Sequence, residues 1–389
     1  MADQRSPDVI VVGGAAGAAI AHKLAEQGKR VALLYRTVKG ATDTNQKWLH
    51  SGLLYPSGGL AAKAWKNRNS DWEIKQPYLL RPEQACILAL DRSTVVDRER
   101  LWAKWKAEGR DIPEAVPLTE DEKNRLGDTG INFAGGWTTP DCAIDFPALV
   151  RDMRLNLEGK LTDNAHLPRL KVQGSVMEGA RVLRLRRGRN GMEGVDFEWN
   201  GDQSTLSCQD VVLAAGAWSH ELLSDIGVRL PLIRKKCLVL VADRKRLPID
   251  MITVCLDVKK EDGTSGDVTL VPYSEKTLAA GTDFKVVYNL RGRPLEDLTN
   301  GPSEVQALMA ELSQCFTGVR KLTPADFEVW TCFKTEQYNS AHPDVDAKVY
   351  THSAGIAGSG HDVEGLTVAL PGKASLIFDL AREVANLIP

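Results

Sequence analysis

Apolar runs separated by glycine-bearing turns organise the first 36 residues of the chain. Residues 9–12 form an apolar run of strand length, the turn Gly13-Gly14 follows at once, and residues 18–27 are rich in helix formers. Gly28 stands where a helix C-terminus favours a residue with positive φ, and residues 31–34 are a second apolar run. This pattern predicts a strand, a tight turn, a helix and a second strand, which form a βαβ unit.

The same alternation returns later in the chain. Residues 210–223 again predict a strand, a glycine turn and a helix, and the C-terminal region predicts a strand, a long glycine loop and a closing helix. Residues 230–290 are rich in strand patterns, and residues 303–317 have a helical pattern. We therefore expect one nucleotide-binding domain assembled from discontinuous pieces, with a strand-rich block between two of them.

The glycine turn departs from the fingerprint of a dinucleotide-binding unit, Gly-x-Gly-x-x-Gly. In one register, Gly14 and Gly17 are the second and third glycines and Val12 takes the first place. In the other register, Gly13 is the first glycine and alanines take the two remaining places. We prefer the first register, because it puts position 35 where the second strand should end in an acid, roughly 20 residues on.

Position 35 holds a tyrosine instead of that acid. A carboxylate accepts hydrogen bonds from both ribose hydroxyls, whereas the phenol of Tyr35 makes one weaker hydrogen bond. On this segment alone two interpretations stay open. One is a nucleotide site with a weakened ribose contact, and the other is an ordinary buried βαβ unit.

Composition narrows the class of protein. The 389 residues suffice for two or three domains, and 49 basic against 51 acidic residues leave a net charge of -2, which argues against nucleic acid as a partner. Seven cysteines are scattered without a CxxC pair or a His/Cys cluster, so we expect neither a disulfide framework nor a metal site. The start of the chain is polar and no apolar run approaches the roughly 18 residues of a membrane span, which predicts a cytoplasmic protein without a transmembrane segment.

Four further stretches carry a resemblance to a known family. They are LHSGLLYP at 49–56, GGWTTPDCAIDFPALV at 135–150, DVVLAAGAWSHELL at 210–223 and GLTVALPG at 365–372. Together with the opening βαβ unit, they make the chain similar to the D-amino-acid-oxidase superfamily of FAD-dependent oxidoreductases. This group includes glycine and sarcosine oxidases, glycerol-3-phosphate dehydrogenases and L-2-hydroxyglutarate dehydrogenases. The resemblance covers nearly the whole chain and implies FAD as the cofactor.

The resemblance also implies a fold and a domain organisation. It predicts an α/β protein with a Rossmann-like FAD-binding domain and a second, substrate domain built on a mixed or antiparallel sheet. The FAD-binding domain is expected to comprise residues 1–63, 146–229 and 329–389. The substrate domain is expected to comprise residues 64–145 and 230–328.

Residues that bind FAD follow from the same resemblance. The Ala-Ala-Gly-Ala-Trp-Ser turn closes over the cofactor in such proteins, the 40s loop passes the flavin ring, and the C-terminal glycine loop meets its pyrimidine edge. The departures at Val12 and Tyr35 predict weaker FAD binding unless Arg36 or other loops compensate. The expected cofactor-binding residues are Val12, Gly13, Gly14, Ala16, Gly17, Tyr35, Arg36, Asn45, Ser51, Gly52, Val176, Ala215, Gly216, Trp218, Gly358, Gly360, His361, Gly365, Leu366 and Thr367.

Candidate catalytic residues follow from what a flavin leaves to the protein, which is to position the substrate, hold its charge and accept one proton. His50 is the leading base, and the glycerol-phosphate and hydroxyglutarate branch has His-Ser-Gly or His-Gly-Gly at this place. Lys334 corresponds to an arginine of related proteins and either binds a carboxylate or phosphate as a point charge or pairs with Glu336. Tyr273 and Tyr55 are candidate hydroxyl donors on the substrate side.

Three functions therefore stay open. The first is an FAD-dependent dehydrogenase or oxidase of a small anionic 2-hydroxy acid or polyol phosphate, favoured by His50 and its neighbours. The second is oxidation of an amino acid or N-alkyl amino acid, which needs no histidine base if the substrate arrives as a free amine. The third is a degenerate flavoprotein with a binding role, suggested by Val12 and Tyr35. The electron acceptor, whether dioxygen, a quinone or another carrier, is open as well.

Overall fold

The computed structural model divides the chain into two compact units. Unit 1 comprises Met1–Thr42, Phe146–Arg234 and Lys334–Pro389, and unit 2 comprises Asp43–Asp145 and Lys235–Phe333. The residues that the structure describes are 6–36, 43–45, 47–55, 57–81, 85–161, 166–230, 232–281, 285–287, 301–337, 348–351, 363–370 and 376–388.

A parallel sheet forms the centre of unit 1. Its strands are β1 (Val9–Gly13), β2 (Val31–Tyr35), β9 (Ser175–Glu178), β13 (Val211–Ala214), β20 (Lys348–Thr351) and β21 (Leu366–Leu370). Their order across the sheet is β20-β21-β13-β1-β2-β9, and only the edge strand β20 runs antiparallel to its neighbour. Four of the inner strands are buried at every position, which explains their near-continuous apolar runs.

The two faces of this sheet are covered by different elements. The helices of unit 1 are α1 (Ala15–Glu26), α6 (Phe146–Leu157), α7 (Ser219–Asp225) and α9 (Ile377–Leu387). Helix α1 packs against α6 and α9 on one face. A three-stranded antiparallel sheet and α7 share a hydrophobic core with the other face. That small sheet consists of β10 (Arg181–Arg187), β11 (Met192–Trp199) and β12 (Asp202–Ser207).

Unit 2 is built on a larger mixed sheet. Its strands are β5 (Ala85–Ala89), β6 (Val116–Pro117), β7 (Gly135–Thr139), β14 (Leu232–Asp243), β15 (Ile252–Lys259), β16 (Ser265–Tyr273), β17 (Lys276–Gly281), β18 (Lys285–Val287) and β19 (Phe327–Gln337). Strands β15 and β5 pair in parallel, whereas β15 with β16, β16 with β17, and β5 with β7 pair antiparallel. The fold class expected from the sequence is confirmed.

Alternation along the strands gives unit 2 a hydrophobic core on each face of this sheet. Cys86 and Leu88 of β5 belong to one core, and Ala85, Ile87 and Ala89 belong to the other. The helices of this unit are α2 (Gly58–Asn69), α3 (Trp72–Lys75), α4 (Arg92–Ala107), α5 (Glu120–Asp128) and α8 (Pro302–Cys315).

A second, small antiparallel sheet of unit 2 carries the chain into the segment around His50. Its strands are β3 (Trp48–Leu49), β4 (Leu79–Arg81) and β8 (Cys142–Ile144), in the order β3-β8-β4. Residues 43–63 were assigned to the cofactor domain from the sequence, but they cluster with unit 2 because β3 pairs with β8 and Ala61 of α2 enters a core of that unit. The division of roles between the two units stays a prediction.

Candidate active site

The carboxyl ends of the parallel strands of unit 1 form one edge of the sheet. Strand β1 ends at Gly13, β2 at Tyr35 and β13 at Ala214. From β1 the chain continues to β2 on one side and later adds β13 on the other, so the strand order reverses between β1 and β13. Open α/β sheets bind ligands outside the carboxyl ends of the strands at such a point. This edge is therefore the candidate cofactor site.

The three glycines of the first turn have different surroundings. A Cβ on Gly13 would collide with the carbonyl group of Ala214, so glycine lets β1 and β13 approach closely. A Cβ on Gly17 would lie 3.3 Å from Leu33 Cδ1, as expected where a helix packs tightly on a strand. A Cβ on Gly14 would meet no described atom within 4 Å. Gly14 and Gly17 thus have the surroundings of the second and third fingerprint glycines, which supports the preferred register.

The amino end of α1 at this edge suits an anion. Gly14 is the N-cap residue and has no side chain that could cap the helix, and the first turn contains no acidic residue. The N–H groups of the first turn and the positive end of the helix dipole are therefore directed at whatever lies beside Gly14. Ala16 is buried in this turn, and its small side chain adds little volume there. A pyrophosphate is the type of group that such a helix end binds.

A second turn follows β13 at the same edge. Gly216, next to Ala215, has φ +56, and a Cβ there would meet no described atom within 4 Å. Among the described residues, neither the buried Nε1 of Trp218 nor the buried Oγ of Ser219 has a hydrogen-bond partner. Buried polar atoms without a partner are rare in native proteins. Open space beside two glycines, together with polar atoms that lack a partner, fits a polar cofactor along this edge.

Tyr35 stands at the end of β2, where an acid was expected. The guanidinium carbon of Arg154 lies 3.4 Å from the centroid of the Tyr35 ring, which is a close cation–π contact. Burial raises the pKa of Tyr35 to about 12, and the Glu178 carboxylate adds to this rise while Arg154 opposes it. The phenol therefore keeps its proton in the folded protein, and its hydrogen bond with Glu178 contributes to this.

Three other predicted cofactor residues lie near this edge or beneath it. Arg36 is exposed immediately after β2. Val176 is half-buried in β9 and pairs with Leu33 of β2. Val12 is buried in the core on the face of the sheet that β10, β11 and β12 cover, so its side chain contributes to packing.

The predicted residues of the C-terminal motif lie elsewhere in unit 1. Leu366 pairs with Val211 at the start of β13, so Gly365, Leu366 and Thr367 are near the amino end of β21 and away from Gly14. Gly365 has φ +74, and a Cβ there would collide with the carbonyl oxygen of Gln209, so backbone packing explains this glycine. Gly358, Gly360 and His361 lie outside the described residues.

In unit 2, strand β3 leads directly into His50. The His50 ring lies edge-on to Trp48 and Tyr55, with centroid separations of 5.4 Å and 5.1 Å. His50 Nε2 and the Tyr55 hydroxyl share a hydrogen bond of 3.1 Å. In the tautomer that carries its proton on Nε2, Nε2 donates to the Tyr55 hydroxyl, and the lone pair that a general base requires is on Nδ1.

The loop that follows His50 is held by three separate parts of unit 2. The backbone N–H and the hydroxyl of Ser51 both donate to the buried carboxylate of Asp141. Gly52 has φ +94, and a Cβ there would lie 2.6 Å from a carbonyl oxygen of α2. Trp102 Nε1 donates to the carbonyl oxygen of Leu53 at 3.1 Å. Ser51 and Gly52, predicted to contact the cofactor, therefore also have structural roles within unit 2.

A buried lysine lies beside the predicted donor Tyr273. Lys47 is 1% exposed, and its Nζ donates to the carbonyl oxygen of Asp43 at 2.7 Å and lies 5.8 Å from the Tyr273 ring centroid. The backbone N–H of Lys47 donates to Asn45 Oδ1 at 2.8 Å, which supports its φ of +57. Burial raises the pKa of Tyr273, and the carboxylates of Asp145 and Asp43 add to this effect.

Sequence reasoning missed three residues that the structure places in these two regions. Lys47 stands in a polar segment where nothing marked its side chain as buried. Asp141 lies inside the GGWTTPDCAIDFPALV motif, which is the one signal that could have singled it out. Nothing in the sequence singled out Arg154, because its contact with Tyr35 joins residues that are far apart in the chain. Lys334 lies in β19, and its side chain lies outside the described part of the chain.

Comparison with known proteins identifies the family of this chain. The DAO family, described as FAD dependent oxidoreductase, matches residues 8–374. One subunit of the anaerobic glycerol-3-phosphate dehydrogenase of Escherichia coli K12 is 25% identical over 340 residues, which cover 83% of this chain and 58% of that protein. Glycine oxidase from Pseudomonas aeruginosa is 30% identical over 247 residues, which cover 59% of this chain and 61% of that protein.

A solved structure agrees with these sequence matches. The glycerol-3-phosphate dehydrogenase of Bacillus halodurans, complexed with FAD, superposes with a TM-score of 0.68 at 16% identity and covers 99% of this chain and 64% of that one. The chain belongs to the DAO family of FAD-dependent oxidoreductases, and its cofactor is FAD. The resemblance inferred from the sequence is thereby confirmed. The chain spans less than two thirds of the length of the two curated relatives.

Membrane insertion was not expected from the sequence. Within the described residues, no helix combines the length and the apolar character needed to cross a bilayer.

Proposed function

We propose that this chain oxidises the alcohol carbon of a small anionic 2-hydroxy acid or polyol phosphate. The observation that supports this proposal is the pairing of His50 with Tyr55 in a firmly held loop of unit 2. Oxidation of an alcohol requires a base for the hydroxyl proton, and imidazole is a base near neutral pH. The name of the Escherichia coli relative, a glycerol-3-phosphate dehydrogenase, agrees with this substrate class.

The chemistry divides between the cofactor and the protein. FAD would supply the acceptor for a hydride. The hydride departs from the substrate carbon and carries both electrons of the C–H bond. His50 Nδ1 takes the proton of the substrate hydroxyl as the C=O bond forms. The hydrogen bond between Nε2 and the Tyr55 hydroxyl keeps the imidazole ring in one orientation, so that Nδ1 lies at a defined place when the substrate arrives.

A positive charge for the substrate anion is the second requirement. Lys334 stays the predicted anion holder, as a point charge on β19. The ammonium of Lys47 adds a positive charge next to Tyr273, three positions before His50. The carboxylates of Asp145 and Asp43 also act on the Tyr273 ring, so Lys47 offsets their charge, and Lys334 alone is proposed to hold the substrate anion.

Oxidation of an amine is the second candidate. It is favoured by the match to glycine oxidase, whose name points to an amino-acid substrate. A free amine carries its own lone pair, so this reaction needs no histidine base. The role of His50 therefore separates the two candidates.

The test is anaerobic reduction of the FAD-loaded protein, followed by loss of flavin absorbance after addition of 2-hydroxy acids, glycerol phosphate or amino acids. We expect bleaching by a member of the first two groups. His50→Gln should lower the rate of flavin reduction by about 10²- to 10⁴-fold, the usual contribution of a general base. The exposed His166→Gln is the matched control and should leave this rate unchanged.

Three outcomes would contradict the proposal. Bleaching by amino acids alone would select the amine reaction. An unchanged rate in His50→Gln would remove this histidine from the mechanism. A yellow protein that no member of the panel reduces would favour the flavoprotein with only a binding role.

A further inference from the structure

A buried carboxylate lies directly behind the loop that carries His50. Asp141 is 1% exposed and stands between β7 and β8. Strand β8 pairs antiparallel with β3, with Cys142 opposite Leu49, so extending the register by one place brings Asp141 opposite His50. The carboxylate is therefore fixed to the same small sheet that positions the proposed base.

Among the described residues, the hydrogen bonds to this carboxylate come from two segments. The backbone N–H of Ser51 donates to Oδ1, the Ser51 hydroxyl donates to Oδ2 at 3.2 Å, and the Thr139 hydroxyl also donates to Oδ2. Thr139 ends β7, so these contacts tie the loop after β3 to the large sheet of unit 2. Ser51 has two of its polar groups bound to one rigid acceptor.

Keeping a carboxyl group in this place is unfavourable unless the hydrogen bonds compensate. Burial raises the pKa of Asp141, while the donors from Thr139 and Ser51 and the nearby Arg68 guanidinium lower it. A buried acid that is not well paired destabilises the folded protein. An apolar residue in its place would leave the buried Ser51 N–H and the hydroxyls of Ser51 and Thr139 without this acceptor, so the carboxylate is what fixes the Ser51 backbone.

We propose that Asp141 is a positioning residue that acts through Ser51 to hold His50 in place for proton transfer. This inference rests on the proposed function, because it takes His50 as the base. The residue before Ser51 is His50 itself, so a shift of the Ser51 backbone moves the imidazole. A displacement of about 1 Å in a catalytic group lowers a rate by about 10²-fold.

The experiment measures the anaerobic rate of flavin reduction per bound FAD in four proteins: the native chain, His50→Gln, Asp141→Asn and the double variant. Asparagine retains the shape of Asp141 and one acceptor oxygen, which keeps the protein folded. We expect Asp141→Asn to lower the limiting rate of flavin reduction by about tenfold, with the substrate concentration at half-maximal rate changed by less than about threefold. In the His50→Gln background the same substitution should lower the rate by less than about twofold, because the group it positions is already lost.

Two further variants sharpen the result. Ser51→Ala removes the hydroxyl bond but keeps the backbone N–H bond, so its effect should be smaller than that of Asp141→Asn. The exposed Asp128→Asn, at the end of α5, is the matched control for removal of a carboxylate and should not change the rate.

The outcomes that overturn the inference differ from those that overturn the proposed function. Equal fold losses for Asp141→Asn in the native and His50→Gln backgrounds would show that Asp141 acts independently of His50, even if His50 is the base. A loss of folded protein with an unchanged rate per bound FAD would assign Asp141 a purely structural role. An unchanged rate in His50→Gln alone would overturn the proposed base and this inference with it.

Discussion

Two glycine-bearing loops of this chain are built in opposite ways. The turn at residues 13–17 in unit 1 is open, and a Cβ on Gly14 would meet no described atom within 4 Å. The loop at residues 50–55 in unit 2 is closed, and a Cβ on Gly52 would lie within 2.8 Å of two atoms of α2. The first uses glycine to leave room for a ligand, and the second uses glycine to let a loop and a helix touch.

The difference explains why the first loop tolerates an irregular sequence. The open turn offers backbone N–H groups and a helix dipole, which do not depend on side chains. Val12 replaces a fingerprint glycine there without disturbing the turn, because its side chain is buried on one face of β1. The closed loop depends instead on side chains from distant parts of the sequence, such as Asp141 and Trp102.

The largest effect on stability is expected at the closed loop. Gly52→Ala should lower the free energy of unfolding by about 2 to 4 kcal/mol, because it adds a steric clash to a backbone with positive φ. The midpoint of urea unfolding measures this change. Gly59→Ala in the first turn of α2, where a Cβ would meet no described atom within 4 Å, is the matched control and should change stability by less than about 1 kcal/mol. Equal midpoints for the two variants would contradict the difference between the loops.

The opposite effect is expected at the open turn. Gly14→Ala should leave the stability of the FAD-free protein within about 1 kcal/mol of the native value, yet weaken FAD binding by about 10- to 100-fold. The reason is that the added methyl group occupies the space into which the cofactor's pyrophosphate would fit. Titration of FAD into the FAD-free protein, followed by flavin fluorescence, measures the affinity. Gly127→Ala in α5 is the control, and undiminished affinity in Gly14→Ala would place the pyrophosphate elsewhere.

The smallest effect is expected beside the open turn, at Tyr35, and only at high pH. Its pKa of about 12 in the folded protein lies above the ordinary value of 10.0, so between these values the unfolded chain loses a proton that the folded protein keeps. The unfolded state then binds fewer protons, and the free energy of unfolding falls as pH rises from 10 to 12, by up to about 2 kcal/mol from this group. The Tyr35→Phe variant has no phenol to titrate, so its free energy of unfolding should not show this fall. Urea unfolding of both proteins at pH 9, 10, 11 and 12 tests the difference, and parallel pH curves would contradict it.

The sequence was most informative where chemistry is local. The βαβ unit and the strand, glycine turn and helix within residues 210–223 follow from runs of neighbouring residues, and the structure has them. The assignment of residues 43–63 followed the order of motifs, but the pairing of β3 with β8 joins positions about 90 residues apart. No periodic pattern encodes that pairing.

In the candidate site, too, residues within local motifs were predictable, and contacts between distant segments were not. His50 was identifiable from its own motif, whereas its hydrogen-bonded neighbour was one of two tyrosines suggested only by residue type. Asp141 and Arg154 act through contacts between distant segments, which a single sequence does not reveal. The glycine at 365 was assigned to the cofactor, although a close approach of the Gln209 backbone accounts for it.

The order of strands in unit 1 has a consequence for how the chain is made. Strand β1 is synthesised early, but Ile10 pairs with Val211, and the next strand outward begins only at Leu366. Until residues 211–214 have been added, β1 therefore has one hydrogen-bonding edge without its native partner, and β13 then lacks its partner β21 until residues 366–370 have been added. Exposed strand edges promote aggregation. A nascent chain of this architecture is a natural client for a chaperone until its last strand emerges.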